Sequence, residues 1–147
     1  MVKASLIWLN YNSLGFMDIA LKSIESVLNL DFDDYEVIVV DNASIDGSFE
    51  KIKEFVEGKR PSSVRVKFVR SDANRGYAGG MNLGWEARNE DSRYVAFLNN
   101  DLIVEPSSLK DLVNYMESDE KLAAASGLIY FGDNKSIYTA SGYGTDY

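Results

Sequence analysis

The stretch "YEVIVVDNASIDGSFEKIKEFVEG", Tyr35–Gly58, decides the fold. Its opening, Tyr35–Asp41, is a short apolar run dense in β-branched side chains, the pattern of a strand buried on both faces. A polar break follows. Apolar residues then return at helical spacing, with Phe49, Ile52, Phe55 and Val56 on one face. Asp46 suits the N-cap and Gly58 the position just past the helix end. The stretch reads as one β-α unit.

The same alternation extends in both directions. Upstream, "KASLIWLN" (Lys3–Asn10) is a second buried strand. "GFMDIALKSIESVLNL" (Gly15–Leu30) sets Leu21, Ile24 and Leu28 on one helical face, and Lys22, Ser23, Glu25 and Ser26 on the other. Downstream, "VRVKFVR" (Val64–Arg70) alternates as a half-exposed strand does. Gly76–Glu90 is weaker helix material because it holds four glycines, which also allow close backbone approach. "RYVAFLN" (Arg93–Asn99) is the next strand, and its apolar run Val95–Leu98 looks buried. Leu109, Leu112, Val113 and Met116 mark an amphipathic helix capped by Ser107 or Ser108. Leu122–Phe131 reads as another strand and Ser136–Gly144 as a short one. This order predicts an α/β, Rossmann-like fold, a mainly parallel sheet with helices on both faces.

Composition narrows the chemistry. The chain has 147 residues, 46% hydrophobic and 26% charged, enough for the core of one domain. It has no cysteine and no histidine. That excludes disulfides, thiolate chemistry, imidazole bases and histidine-held zinc. Any metal must be held by oxygen, which favours magnesium, manganese or calcium. A net charge of −8 argues against a nucleic-acid polymer as partner. No apolar run is long enough to span a bilayer, and the start lacks a signal-peptide pattern. These features are compatible with a cytoplasmic location.

In parallel α/β sheets, ligands sit outside the carboxyl ends of the strands. Here those ends read Asn10-Tyr11-Asn12, Asp41-Asn42-Ala43-Ser44, Arg70-Ser71-Asp72 leading into "NRGYAGGMN", and Asn99-Asn100-Asp101. Taken singly, each is what a turn or a helix cap requires. Together on one sheet edge they supply carboxylates, amides and an arginine around a glycine-rich loop, which suits a nucleotide diphosphate. "YVAFLNNDLIVEP" (Tyr94–Pro106) poses the choice most sharply, because its knot of oxygen-bearing side chains fits either a turn or a metal site. "NRGYAGG" is not a dinucleotide fingerprint, since it lacks G-x-G-x-x-G and follows the third strand.

In order and spacing, "IWLNYNS", "VIVVDNASIDGS", "NRGYAGGMNLGWEAR" and "YVAFLNNDLIVEPSSL" resemble the inverting family-2 glycosyltransferases with a GT-A fold, nearest in flavour to the rhamnosyltransferase-type members. The resemblance covers almost the whole chain. It implies a UDP- or dTDP-linked sugar donor, Mg2+ or Mn2+, and a saccharide or lipid-linked saccharide acceptor. Leu9, Asn10, Tyr11 and Asn12 would border the base and ribose. Asp41 would contact the base, whose N3 hydrogen a carboxylate accepts well, with Asn42 and Ser44 beside it. Arg75 and the Gly76 backbone would lie near ribose or phosphates. Asn99 stands where the family's D-x-D motif carries its first Asp and Asp101 at the second, so Asp101 would bind the cation. Asn99 or Asn100 would touch the ribose or orient the metal's water.

The family's catalytic base lies well downstream of this motif, and the segment after Asp101 leaves it unassigned; neither Asp133 nor Asp146 is taken for it. The expectation is therefore a truncated fold, residues 1–147 forming the nucleotide-sugar-binding part of a longer enzyme. Tyr138, Tyr143 and Tyr147 suit unfinished core better than an acceptor surface. Membrane attachment, at the inner face, would come only through segments beyond this chain. Three alternatives remain: a non-catalytic nucleotide-sugar-binding domain, a nucleotidyltransferase, and an α/β domain whose polar strand ends are only turns. The second is disfavoured because "NYNSLGF" carries no basic residue to hold a triphosphate.

Overall fold

The apolar runs become strands. In the computed structural model, which describes residues 3–130 and 137–139, the elements run β1 (Ala4–Asn10), a 3-10 turn (Leu14–Phe16), α1 (Met17–Leu28), β2 (Tyr35–Asp41), α2 (Ser48–Lys59), β3 (Arg65–Arg70), α3 (Gly76–Ala87) and β4 (Tyr94–Asn99). These belong to one compact unit, Met1–Pro106. A second unit, Ser107–Tyr147, holds α4 (Ser108–Glu117) and an antiparallel pair, β5 (Ile129–Tyr130) with β6 (Ile137–Thr139). Ser107 is the N-cap of α4, and its hydroxyl donates to Asp111 Oδ2 at 2.7 Å. No helix of the described residues is long and apolar enough to cross a membrane. Asp133, Tyr143, Asp146 and Tyr147 lie outside the described residues, as does the side chain of Tyr138.

The first unit is a four-stranded sheet of order β3-β2-β1-β4, every pairing parallel. β1 and β2 are buried along their whole length. One face carries Ile7, Leu9, Ile38 and Val40 against Met81 of α3. Gly84 makes that approach possible, because a Cβ there would collide with Ile7 and Val40. The other face carries Trp8 and Tyr35. The Trp8 indole donates to Ser23 Oγ of α1 at 3.0 Å, and the Tyr35 hydroxyl donates to the α1 carbonyls of Val27 and Leu28. α2 lies on this face too, its Phe49 ring edge-on to Phe68 of β3. The predicted sheet with helices on both faces is thus observed.

Several local expectations need correction. β4 pairs only with β1 among the described residues, and Phe97 is 50% exposed, so the run Val95–Leu98 is an edge strand rather than a buried one. Of the strand expected over Leu122–Phe131, only Ile129–Tyr130 forms among the described residues. The preceding Ala123–Gly127 is exposed and poor in β-branched residues. Gly47, at φ 82°, takes the N-cap place expected for Asp46, whose carboxylate instead accepts from Ser48 N at 2.9 Å and Leu14 N at 2.8 Å. Gly58 lies inside α2. The helix stops at Arg60, extended ahead of Pro61 as a residue before proline prefers. Ser23, placed on the polar face by spacing, is fully buried.

At the amino ends of the strands, Glu36 is 1% exposed. Its carboxylate accepts from Ser5 Oγ at 2.7 Å and Asn89 N at 2.6 Å, and pairs with Lys67 Nζ at 3.1 Å. Burial pushes its pKa up, but the bonds from Ser5 and Asn89 and the Lys67 ammonium outweigh burial and hold it below the usual value. A group depressed in the folded state adds stability above its unfolded pKa, about 4.3 for Glu, and loses it as pH falls through the folded pKa. Urea midpoints of the wild type should therefore fall with pH below this range. In Glu36→Gln the same descent should be shallower; an equally steep one would remove Glu36 as its cause.

Candidate functional site

The strand order places a topological switch point at the carboxyl ends of β1 and β4. The chain leaves β1 toward β2 and β3, then returns to its other side as β4. Such a crevice is where parallel sheets bind ligands. β1 ends there in Asn10, β4 in Asn99.

Asn10 is fully buried and organises the edge. Its Nδ2 donates to Asp41 Oδ1 at 2.9 Å, with Ser44 Oγ and Ser48 Oγ at 3.2 and 3.1 Å. Its Oδ1 accepts from the Ser13 hydroxyl, with Asn100 Nδ2 at 3.4 Å. Asp41 sits in the adjacent β2 register position and is 0% exposed. Its second oxygen accepts from Ser44 N at 3.0 Å and pairs with Arg70 Nε at 3.2 Å. Arg70 in turn donates to Ser44 O at 2.6 Å and Glu50 at 2.8 Å. The carboxylate expected to face a base is thus turned inward, with both oxygens engaged.

The loops after β1 and β2 are laced together. Asn12, at φ 46°, donates its N–H to Ser44 Oγ and accepts from Ile45 N, each at 2.9 Å. Ala43 between them is held at φ 62°, a conformation that costs a Cβ-bearing residue about 1–2 kcal/mol and that the Asp41 and Arg70 bonds on either side over-determine. Asn42, 2% exposed, reaches the other way. Its amide donates to Asn74 Oδ1 at 2.8 Å and Gly76 O at 3.0 Å, and its carbonyl accepts from Arg75 N at 2.9 Å. This clamp presents the start of α3, where Gly76 adopts φ 69°. The Arg75 guanidinium is 48% exposed, resting on Ser71 Oγ and Asp72.

The expected residues therefore divide by burial. Leu9, Asn10, Asp41, Asn42 and Ser44 are buried supports, Leu9 and Asn10 being the last residues of β1 itself. Tyr11, Arg75, Gly76, Asn99 and Asp101 are exposed, while Asn12 and Asn100 are half-buried. Sequence reasoning missed Ser13, Ser48, Arg70 as a partner of Asp41, and Asn74. Only Arg70 carried a signal, as the charged end of the strand that pairs with Asp41.

Asp101 stands in the turn after β4, exposed, with no hydrogen bond or ion pair among the described residues. No group of three or more acidic side chains that could hold a metal occurs among the described residues. A lone free carboxylate still fits Mg2+ or Mn2+, which keep waters and take oxygens from a bound phosphate. It does not fit an all-protein cage.

Polar loops gather at the switch point of a parallel sheet in an α/β domain of the GT-A type. The chain belongs to glycosyl transferase family 2, whose model matches residues 5–145. A glycosyltransferase of Nostoc sp. (strain PCC 7120) is 31% identical over 144 residues, which is 97% of this chain and 42% of that protein. The poly-beta-1,6-N-acetyl-D-glucosamine synthase of Staphylococcus epidermidis is 28% identical, over 71% of this chain and 24% of its own length. Among solved structures, S. aureus TarS in complex with UDP superposes with a TM-score of 0.66 at 23% identity, over 81% of this chain and 33% of that one. The mannosyltransferase PcManGT of Pyrobaculum calidifontis, in complex with GDP-Man and Mn2+, gives 0.68 at 20%, over 78% and 32%. At these identities the two structures establish the fold. The chain spans less than half the length of each of these relatives.

Proposed function

We propose that residues 1–147 form the nucleotide-sugar-binding part of a metal-dependent, inverting glycosyltransferase. The observation that carries this reading is the exposed Asp101, unpaired among the described residues, at the same sheet edge as the braced loops of Asn10, Asp41 and Asn42. The UDP complex of TarS and the GDP-Man and Mn2+ complex of PcManGT support it by their shared fold.

In this reading Tyr11 and Asn12 border the base and ribose, and Tyr11 offers a ring face at 45% exposure. Asp41 braces them from below. Arg75 exchanges Asp72 for donor phosphate, and the Gly76 backbone lines the same path. Asn99 meets the ribose. Asp101 supplies the protein's oxygen to a divalent cation, which when bound stabilises the charge that collects on the leaving diphosphate. An acceptor hydroxyl, on a saccharide or lipid-linked saccharide, forms a bond to the anomeric carbon. The bond to the donor phosphate breaks on the opposite face, and the hydroxyl proton passes to a carboxylate base. A UDP- or dTDP-linked donor is the finer expectation, a dTDP-linked rhamnosyl donor among them.

Calorimetric titration with UDP, dTDP and GDP, each with and without Mn2+, tests the reading. Manganese-dependent binding of UDP or dTDP is the expected result. Binding of GDP alone would reassign the base. Failure of all three would reduce the Asn99–Asp101 segment to a turn.

A further inference from the structure

We propose that Ser23 and Ser26 of α1 are positioning residues for Asp101, an inference that rests on the donor-site reading above. Ser23 lies in the middle of a helix and is fully buried, where a hydroxyl is costly unless it is bonded. It is bonded at both ends. Its oxygen accepts from the Trp8 indole at 3.0 Å, which leaves its single proton to donate. That proton goes to Leu102 O at 2.7 Å, with Asn99 O further off at 3.4 Å. Both ends of the turn that carries Asp101 therefore sit over one buried hydroxyl.

One helical turn on, Ser26 repeats the arrangement. Its hydroxyl donates to Ser23 O at 2.7 Å and accepts from Val104 N at 3.0 Å. The segment from Asn100 to Val104 has left β4 and has no strand partner among the described residues. These bonds join it to the helix instead. They also leave the Asp101 side chain untouched and outward. Trp8 is fully buried in β1, an inner strand, so the latch ties the turn that carries Asp101 to the core of the sheet. A single-carboxylate cation site has no second acidic ligand to correct a misplaced first one. Its affinity should therefore depend on how well the turn is held, and outer supports of metal ligands are typically worth about 10- to 100-fold in metal affinity.

The test compares Ser26→Ala, Ser23→Ala, Ser26→Thr and Asp101→Ala in the full chain. Each is titrated with UDP in the presence and absence of Mn2+, using dTDP or GDP if one of those is the nucleotide that binds. Ser26→Ala and Ser23→Ala are expected to weaken binding with Mn2+ about 10-fold and to leave metal-free binding unchanged. Ser26→Thr, which keeps the hydroxyl, should restore the wild-type value. Ser26 is only half-buried, so its variants decide the matter if Ser23→Ala fails to fold. Equal losses with and without metal, or no loss in a folded variant while Asp101→Ala abolishes the metal effect, would overturn the latch and spare the site. A metal effect that survives Asp101→Ala, or is missing from the wild type with all three nucleotides, would overturn both.

Discussion

Replacing Asp101 with Ala is expected to abolish the manganese-dependent part of nucleotide binding and leave the fold intact. The side chain is exposed and bonds to nothing among the described residues. Surface substitutions of that kind usually change stability by about 0.5 kcal/mol or less. Its contribution to a cation is of another order. Mg2+ and Mn2+ demand hard oxygen ligands, and no group of three or more acidic side chains that could hold a metal occurs among the described residues. The expected loss of manganese-dependent affinity is about 100-fold or more, the upper end of what supporting residues around metals are worth. Asp101→Asn should fall between, keeping an oxygen and losing the charge. Calorimetry with and without Mn2+ reads the effect, and a thermal melt checks the fold. Wild-type metal dependence in a stably folded Asp101→Ala chain would move the cation elsewhere.

The sheet was legible in the sequence because burial writes itself into composition. Tyr35–Asp41 matches β2 residue for residue, since a strand covered on both faces must be apolar throughout. The glycines of α3 were legible as close approach, and Gly84 against Ile7 and Val40 bears that out. What composition could not convey was pairing. Val95–Leu98 is as apolar as a central strand, yet its place at an edge depends on strand order. Ser23 follows the polar spacing of α1, but Trp8 and Leu102 draw it inward from positions far apart in the chain. Asp41 was legible as a strand-end carboxylate. That it points at Asn10 and Arg70 is a property of parallel register, which places all of them at one level.

That register makes Asp41→Asn far costlier in stability than Asp101→Ala. The change is nearly isosteric, so no cavity opens. It reverses the hydrogen-bonding sense of one terminal atom. Asn10 Nδ2 donates to one oxygen, and Ser44 N and Arg70 Nε donate to the other. Whichever way the new amide is turned, its NH2 meets a donor, and a buried N–H loses its acceptor. Arg70 is partly exposed and keeps Glu50, so its charge is not stranded. The cost falls on the buried Asn10 and Ser44 groups, and on loops already held at positive φ at Asn12 and Ala43. Bonds to a buried carboxylate are worth about 1.5–3 kcal/mol each and leaving a partner unsatisfied costs a further 1–3, so a loss of about 3 kcal/mol is expected. In a chain of this size that lowers the melting temperature by roughly 10 °C. Nucleotide binding should weaken in step, because the loops beneath Tyr11 and Arg75 lose their brace. A variant as stable as the wild type but weaker for UDP would mean instead that the Asp41 carboxylate faces the base.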